Sequence, residues 1–383
     1  MHFRPLLPPG RILRGLVMAG LALPAAAQSP LQIKTDNSSV KFGLLLQPQF
    51  ETLGSPTLDG DSKNFFIRRT RFLVGGTIGT DWEYFFETDS ANMGKADGSG
   101  TKTGATMVVQ DAVITYKAKD EFKLDVGLIL IPFAHNSVQS AASLLSWDYY
   151  SYSFLQNAGM TTNVGRDLGV QARGMIAKHL EYRLGVFQGK KAPQVAATST
   201  TPGLANSRNA MRVAGRLQYN VFDAETGMFY AGTYGGARKI LSFGVGYDKQ
   251  DEYTGTAFDV FFDWPLANKD VITVQANQVN FDGKTWIALP KTAGTSVEAG
   301  YRFSALKFSP IFRYEKRTFD VNTTTNLNET RVGGGLAFWL KGHNTNVKVF
   351  YMQIKPDNAR IGTTTTTQHS YNSLNVQLQY FIF

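Results

Sequence analysis

Apolar and polar positions alternate along most of the chain from about residue 40 to its end. The alternation comes in segments of about ten residues, and a period of two places successive side chains on opposite faces of a strand. It is clearest in residues 122–128, 180–186, 211–219 and 374–380. Many such segments in series are typical of a membrane-spanning β-barrel, in which one face of each strand meets lipid and the other lines the lumen.

The segments predict an all-β fold, a transmembrane antiparallel β-barrel of about 16 strands. The predicted strands begin near Val40, Phe65, Trp82, Met107, Phe122, Leu168, Leu180, Met211, Ile240, Ala257, Val271, Val297, Leu306, Arg331, Val347 and Asn372. Their connections are alternately short and long, as expected for short periplasmic turns and longer outer loops. Two connections depart from this rule: residues 220–239 are long enough for a small structured excursion, and residues 248–253 are short for an outer loop.

A soluble β-sandwich or propeller is the alternative fold. Its strands would be shorter, about five or six residues, and it would not need aromatic side chains on outward faces near strand ends. Such residues occur throughout this chain and suit the aromatic girdles of a membrane barrel: Tyr182, Tyr219, Trp264, Tyr301, Tyr314 and Tyr351. The last strand ends on Phe383, which is out of phase by one residue with the apolar set that runs from Leu374 to Ile382.

The first 27 residues have the features of a secretory signal peptide. Three arginines precede a short apolar stretch, and small residues at 25–27 offer a cleavage site. A short periplasmic segment, residues 28–39, and a barrel domain, residues 40–383, are expected to follow. The sequence has no cysteine, so an exported chain must be held together without disulfides.

The formal net charge is +9, and it falls to +6 without the three arginines of the predicted signal peptide. A charge that faces hydrocarbon is costly, so the charged members of each alternating segment are assigned to the lumen. The basic set comprises Lys123, Arg173, Arg183, Arg212, Arg216, Arg302, Lys307, Arg313, Arg331 and Lys348. The acidic set comprises Glu83, Glu87, Asp89, Asp111, Asp125, Glu181, Asp259, Asp263, Glu298 and Glu315. Bases gather at 173–216 and acids at 83–111, which predicts a wall with base on one side and acid on the other.

The densest cationic segment is 65–72, which contains Arg68, Arg69 and Arg71. Neighbouring residues of a regular strand point to opposite faces, so only one of Arg68 and Arg69 is expected in the lumen. The other would lie at the lipid headgroups or at a subunit contact. Because guanidinium groups suit bidentate capture of phosphate or carboxylate, this segment is a candidate anion site.

The longest loop, residues 131–165, carries an unusual number of aromatic residues for a solvated loop, among them Trp147, Tyr149, Tyr150 and Tyr152. They predict that the loop folds inward, packs against the wall and forms a constriction. Packing against a neighbouring subunit is the alternative.

The chain resembles the phosphate-selective porin family of the O and P type from about residue 40 to its end. The resemblance lies in an ordered series of short motifs: 66–71 followed by Gly75 and Gly76, 87–89, 110–113, 126–128 with Pro132 and Phe133 after it, 166–171 and 232–235. It implies a homotrimeric sixteen-stranded barrel with an inward-folded loop and arginines lining a narrow anion site. Carried over, Arg68 and Arg69 match the paired arginines that bind the anion, and Asp89 or Asp111 would be their acidic partner.

The predicted function is that of an outer-membrane porin for small anions, with phosphate or a related oxyanion as the expected solute. The predicted anion-binding and constriction residues are Arg68, Arg69, Arg71, Asp89, Asp111, Arg173, Arg183, Arg212 and Arg216. The expected partners are inorganic anions, outer-membrane lipid and lipopolysaccharide, and further copies of the chain in a homotrimer. No cofactor or metal site is expected, and nucleic-acid binding is disfavoured because the basic residues are spread over many strands.

Two other functions remain open, a non-specific diffusion porin and a structural or adhesive outer-membrane barrel. An outer-membrane enzyme is disfavoured. The chain after the predicted signal peptide has only His135, His179, His343 and His369, and neither Gly-x-Ser-x-Gly nor His-Glu-x-x-His occurs.

Overall fold

The structure, a computed structural model, describes residues 31–58, 60–160, 164–191, 210–323, 326–361 and 364–383. The predicted signal peptide lies outside these residues. The strands are β1 (Leu31–Lys34), β2 (Ser38–Leu53), β3 (Ser62–Ile78), β4 (Trp82–Asp89), β5 (Val108–Lys119), β6 (Phe122–Leu130), β7 (Arg166–Ile176), β8 (Leu180–Phe187), β9 (Arg212–Asn220), β10 (Ile240–Gln250), β11 (Tyr253–Pro265), β12 (Val271–Asp282), β13 (Thr292–Arg302), β14 (Phe308–Phe319), β15 (Glu329–Phe338), β16 (Leu340–His343), β17 (Thr345–Pro356), β18 (Ala359–Ile361), β19 (Thr364–Thr366) and β20 (Tyr371–Ile382). The two helical segments are a 3₁₀ turn, Asn136–Val138, and α1, Gln156–Met160.

Sixteen of these strands, β2 to β15 together with β17 and β20, form one closed antiparallel barrel. Closure occurs where β2 pairs with β20, from Leu44 opposite Ile382 to Leu53 opposite Ser373. The short strand β1 pairs with β2 beyond the end of β20 and so occupies the place beside β2 that β20 does not reach. The predicted sixteen-stranded barrel is therefore confirmed. The least accurate predicted start, Val297, lies five residues inside β13, which begins at Thr292.

The barrel exterior is apolar because one face of each strand supplies aliphatic and aromatic side chains. Leu184, Phe243 and Phe258 are typical exposed members, while their neighbours along the chain are buried inside. A bilayer core offers no partner for backbone N–H and C=O groups, and a closed barrel pairs them all between strands. None of the helices in the described part of the chain has the length and apolar character to cross a membrane.

Short and long connections alternate between the two ends of the barrel, which we call the turn end and the loop end. The connection 251–252 between β10 and β11 lies at the loop end and is a two-residue turn, as its brevity in the sequence indicates. Residues 221–239 connect β9 and β10 at the turn end and are structured, with Glu225, Tyr230 and Thr233 buried. The predicted excursion is thus present, and it enters the lumen.

Phe383 belongs to the inward face of the last strand. Ser373, Asn375, Gln377 and Gln379 are buried at alternate positions, and this phase continues to residues 381 and 383. The Phe383 ring packs edge-on against the inward Phe85, with 5.7 Å between ring centroids. The phase difference in the sequence therefore needs no terminal bulge, because Phe383 is a lumenal residue.

Candidate functional site

The inward loop, described over residues 131–160 and 164–165, crosses the lumen and is held by basic side chains of the wall. Arg313 on β14 donates from Nη1 to the carbonyl of Asp148 and from Nη2 to that of Tyr149, both at 2.7 Å. Lys348 on β17 donates from Nζ to the carbonyls of Leu144 and Ser146, at 2.7 and 2.8 Å. The prediction that this loop folds inward is confirmed, and these contacts explain how its backbone carbonyls are satisfied away from water.

Elsewhere on the wall, the start of the loop lies directly on β10. A Cβ built on Gly246 would lie 2.5 Å from the carbonyl oxygen of Phe133, so only glycine permits this approach. The same carbonyl accepts a hydrogen bond of 2.9 Å from Arg216 Nη1. The absence of a side chain at Gly246 and the hydrogen bond from the buried Arg216 together fix the place at which the loop enters the lumen.

The 221–239 segment reaches the inward loop from the turn end. The amide of Tyr230 donates to the carbonyl of Val138 at 3.0 Å, and the amide of Ser140 donates back to the carbonyl of Tyr230 at 2.9 Å. His135 Nε2 lies 3.0 Å from a carboxylate oxygen of Glu225, and both side chains are fully buried. Burial alone would raise the pKa of Glu225, but the contact with His135 and the hydrogen bonds from Tyr234 and Gln218 together outweigh burial and lower that pKa. The two segments therefore fill one side of the lumen as a single packed unit.

The predicted separation of base and acid on the wall is wrong. Each buried arginine among the described residues contacts a carboxylate, which lies on its own strand, on a strand one or two places away, or, for Arg69, on the inward loop. Arg71 contacts Glu87 at 2.6 Å and Asp89 at 3.0 Å, and Asp111 pairs with Arg166 at 3.0 Å. An unpaired buried charge would be far more costly than a pair, so bases and acids are interleaved.

The same holds for the arginines expected to form the cationic wall. The pairs are Arg173 with Asp125, Arg183 with Glu181, Arg212 with Asp248, and Arg216 with Asp259, at 2.7, 2.8, 2.5 and 2.6 Å. All of these side chains are buried. They lie on the lumenal face, as predicted, but their charges are compensated. Lys307, also assigned to the lumen, lies exposed in the turn between β13 and β14.

Arg68 and Arg69 both project into the lumen, contrary to the expectation that only one of them does. The pairing of β2 with β3 shifts between Leu46 and Pro48, so that residues 68 and 69 together oppose Gln47. This β-bulge adds one residue to β3 and changes the face on which the following side chains lie. The bulge therefore brings two adjacent guanidinium groups to one place.

Both arginines bind the same carboxylate on the inward loop. Arg68 Nε donates to Asp148 Oδ2 at 2.7 Å, and Arg69 Nη2 donates to Asp148 Oδ1 at 2.6 Å. Burial opposes ionisation of Asp148, but the two arginines outweigh it and hold its pKa well below the usual range. The acidic partner implied by the resemblance, Asp89 or Asp111, is thus replaced by Asp148. Sequence reasoning missed this residue, although it is the only acidic residue in 131–165.

Exposure separates Arg68 from Arg69 and from the other buried arginines of the wall. The Arg68 side chain is 22% exposed and uses only Nε toward the described residues, whereas Arg69 is buried and also donates from Nη1 to Gln47. Two arginines against one carboxylate leave one positive charge. In the described part of the chain no cluster of side chains suits a metal ion.

Comparisons with known proteins agree with this architecture. The chain is similar in structure to the anion-selective porin of Comamonas acidovorans, with a TM-score of 0.57 and 10% identity over 90% of this chain and 100% of that one. OprB of Pseudomonas putida gives a TM-score of 0.58 and 10% identity over 90% and 94%. The trimer form of OmpT of Vibrio cholerae gives 0.52 and 12% over 90% and 100%. Identities this low show a shared fold alone.

No curated protein sequence matches the chain. A family model described as phosphate-selective porin O and P, however, matches residues 40–275, well over half of the chain. Members of this family are pores rather than enzymes, and they lie in the bacterial outer membrane. The chain belongs to the phosphate-selective porin O and P family.

Proposed function

We propose that this porin passes small anions and that Arg68 and Arg69 form its anion-selective site, with phosphate or a related oxyanion as the preferred solute. The observation that carries the proposal is the single carboxylate, Asp148, shared by these two guanidinium groups. The uncompensated positive charge lies where the inward loop meets β3. A fixed charge in a confined, poorly screened passage biases permeation toward the opposite sign.

Arg68 is the residue through which an anion would bind. Its Nε is engaged with Asp148, which leaves both terminal nitrogens for a solute. Guanidinium groups form bidentate hydrogen bonds with phosphate and carboxylate oxygens, and these bonds replace part of the hydration of the anion. Arg69 would act mainly through its charge, because it is buried and already donates to Gln47 and Asp148.

The other candidate residues have a different part in this proposal. Five of them form ion pairs whose charges cancel: Arg71 with Asp89, Arg173 with Asp125, Arg183 with Glu181, Arg212 with Asp248, and Arg216 with Asp259. Asp111 holds Arg166. We assign these residues to positioning the wall and its inward loop, since a compensated pair contributes little net field.

That compensation also favours the second candidate function, a non-specific diffusion pore with weak selectivity. In such a pore the single excess charge at Arg68 and Arg69 would be too small to discriminate among solutes. The two functions differ in one measurable property, the block of chloride current by phosphate.

The test is single-channel recording in planar bilayers across a KCl gradient, with and without added phosphate. Arg68→Gln should shift the reversal potential toward zero and weaken the phosphate block. The matched control is Lys63→Gln, which removes a positive charge from the exposed outward face of the same strand and should change neither property. Arg68 and Arg69 both changed to Ala should have the larger effect. Anion preference and phosphate block that both persist in an assembled double variant would refute the site.

We further propose that the barrel is a homotrimer embedded in outer-membrane lipid and in contact with lipopolysaccharide. Vibrio cholerae OmpT, which has a similar fold, is described in a trimer form. Lys316 and Lys355 are exposed on outward faces near the loop end, where lipopolysaccharide phosphates would lie. Electrophoresis without heating should give a band near three times the chain mass. Only a monomer band under mild detergent would contradict the trimer.

A further inference from the structure

A cavity of about 430 Å³ lies at the turn end of the barrel, between strands β1–β4 and the 221–239 segment. Pockets that bind small molecules have volumes of about 300–1,000 Å³ and combine an apolar lining with a few polar groups. Both kinds of lining are present here: polar Gln32, Ser39, Lys41, Thr77 and Glu83, and apolar Phe85, Met228, Phe229 and Phe383. The cavity is therefore large enough for a small organic molecule.

Three phenylalanines from distant parts of the chain form the apolar side of this cavity. Phe85 on β4 packs edge-on against Phe229, with 5.5 Å between ring centroids, and against Phe383, with 5.7 Å. The buried Arg183 donates from Nη1 to the carbonyl of Met228 at 2.7 Å, which fixes the part of the 221–239 segment that carries Phe229. The rings thus form a positioned aromatic wall, and a further ring gains from packing against such a wall.

Lys41 supplies a positive charge beside this wall. Its Nζ lies 4.5 Å from the centroid of the Phe383 ring. Its partners in the strand register are Gln32 on β1 and a glycine on β3, neither of which carries a charge. Glu83, the acidic residue of the lining, lies 3.4 Å from Lys117. The described lining of the cavity therefore has one positive charge that no described carboxylate pairs with.

The charge and the aromatic wall together favour one class of ligand. An inorganic oxyanion would satisfy Lys41, but it would lose hydration against the phenylalanine rings without gaining partners there. A neutral aromatic molecule would pack against the rings and leave the charge unused. A small carboxylate attached to an aromatic ring uses both, because charge-assisted hydrogen bonds to an ammonium group are strong and aromatic rings pack favourably together.

We propose that this cavity is a binding site for a small aromatic carboxylate at the turn end of the pore. The carboxylate accepts a hydrogen bond from Lys41, and the ring packs beside Phe229 and Phe383. The site adds a second class of ligand to the inorganic anions. It does not rest on the selectivity proposed for Arg68 and Arg69, because it uses none of their groups.

The test measures equilibrium binding of benzoate to the barrel in detergent by saturation-transfer NMR. Acetate, which lacks the ring, and benzyl alcohol, which lacks the charge, are the comparison ligands, and benzoate should bind more tightly than either. Lys41→Gln should weaken benzoate binding about fivefold, the factor expected for one unit charge about 4 Å away in surroundings as polar as water. It should leave the binding of benzyl alcohol unchanged. Phe229→Leu should weaken the binding of both aromatic ligands by about two- to tenfold, since it removes an aromatic pair.

Lys178→Gln is the matched control. It removes a positive charge from the exposed turn between β7 and β8, at the same end of the barrel but outside the cavity, and should behave as the wild type. The proposal is overturned if benzoate binds no more tightly than acetate or benzyl alcohol, a comparison that needs only the wild type. It is also overturned if assembled Lys41→Gln and Phe229→Leu bind benzoate as Lys178→Gln does. Failure of the proposed function is separate, because it is measured from reversal potential and phosphate block and not from benzoate binding.

Discussion

Asp148→Asn provides the sharpest test of the charge arrangement at the Arg68–Arg69 pair. The substitution removes the shared carboxylate with almost no change of shape, so the fixed charge of the group rises from one to two. The inward loop should keep its position, because Arg313 binds the backbone carbonyls of Asp148 and Tyr149 and not the Asp148 carboxylate. One added charge about 4 Å from a bound anion is worth about 1 kcal/mol in surroundings as polar as water. Because Arg68 is partly exposed, we use this value for water and not the larger value for a protein interior. It corresponds to about fivefold tighter binding of the anion.

The assay is the phosphate concentration that halves the single-channel chloride current, with Asp148→Glu as the control that conserves charge. Asp148→Asn should lower that concentration about fivefold and move the reversal potential further toward that of chloride. Asp148→Glu should lie close to the wild type. If Asp148→Asn keeps wild-type conductance and phosphate blocks it no better, Asp148 does not offset the two arginines, and the electrostatic reasoning is wrong.

Four further predictions concern the inward loop and the segment that meets it. Deleting residues 140–155 should raise single-channel conductance, because these residues occupy the lumen; equal conductance in an assembled pore would contradict that placement. Gly246→Ala should displace the start of the loop, since a Cβ there would lie 2.5 Å from the Phe133 carbonyl, and faster proteolysis of the loop would report it. The lowered pKa of Asp148 means that its ion pairs stabilise the folded loop above the unfolded value of 3.8 and lose this contribution as pH falls below it. The difference in conductance between the wild type and Asp148→Asn should therefore be constant from about pH 8 to 5 and shrink only below about pH 4; a change in that difference near pH 6 would argue against this. Tyr230→Phe removes the hydroxyl that binds Glu181 and should lower the unfolding free energy by about 1–3 kcal/mol, measured by urea titration in detergent; an unchanged midpoint would refute it.

The strand pattern could be predicted from the sequence because it is local. Alternation with a period of two decides which side chains face lipid, whatever the partner strand is. The number of strands, the alternation of short and long connections, and the lumenal side of Arg173, Arg183, Arg212 and Arg216 all follow from it. The aromatic content of 131–165 likewise indicated burial, since aromatic side chains gain most when removed from water.

The bulge at Arg68 and Arg69 could not be predicted from the alternation along β3, because a register shift depends on both paired strands. Residues 68 and 69 oppose Gln47 just before Pro48, which cannot donate to the strand ladder. The proline is the one local sign of an irregularity at this point. Nothing in the arginine segment itself indicates that both side chains turn inward.

Net charge at each point of the lumen is decided only by the tertiary structure. The sequence determined that this chain places many arginines and carboxylates on a lumenal face, because a charge cannot face hydrocarbon. It could not determine which charges cancel, because partners lie far apart along the chain: Asp148 is 79 residues from Arg69, and Asp259 is 43 residues from Arg216. Coulomb interactions depend on distance in space, and strand register and the inward loop set those distances. They leave Arg216 compensated and buried, and they leave an excess positive charge at Arg68.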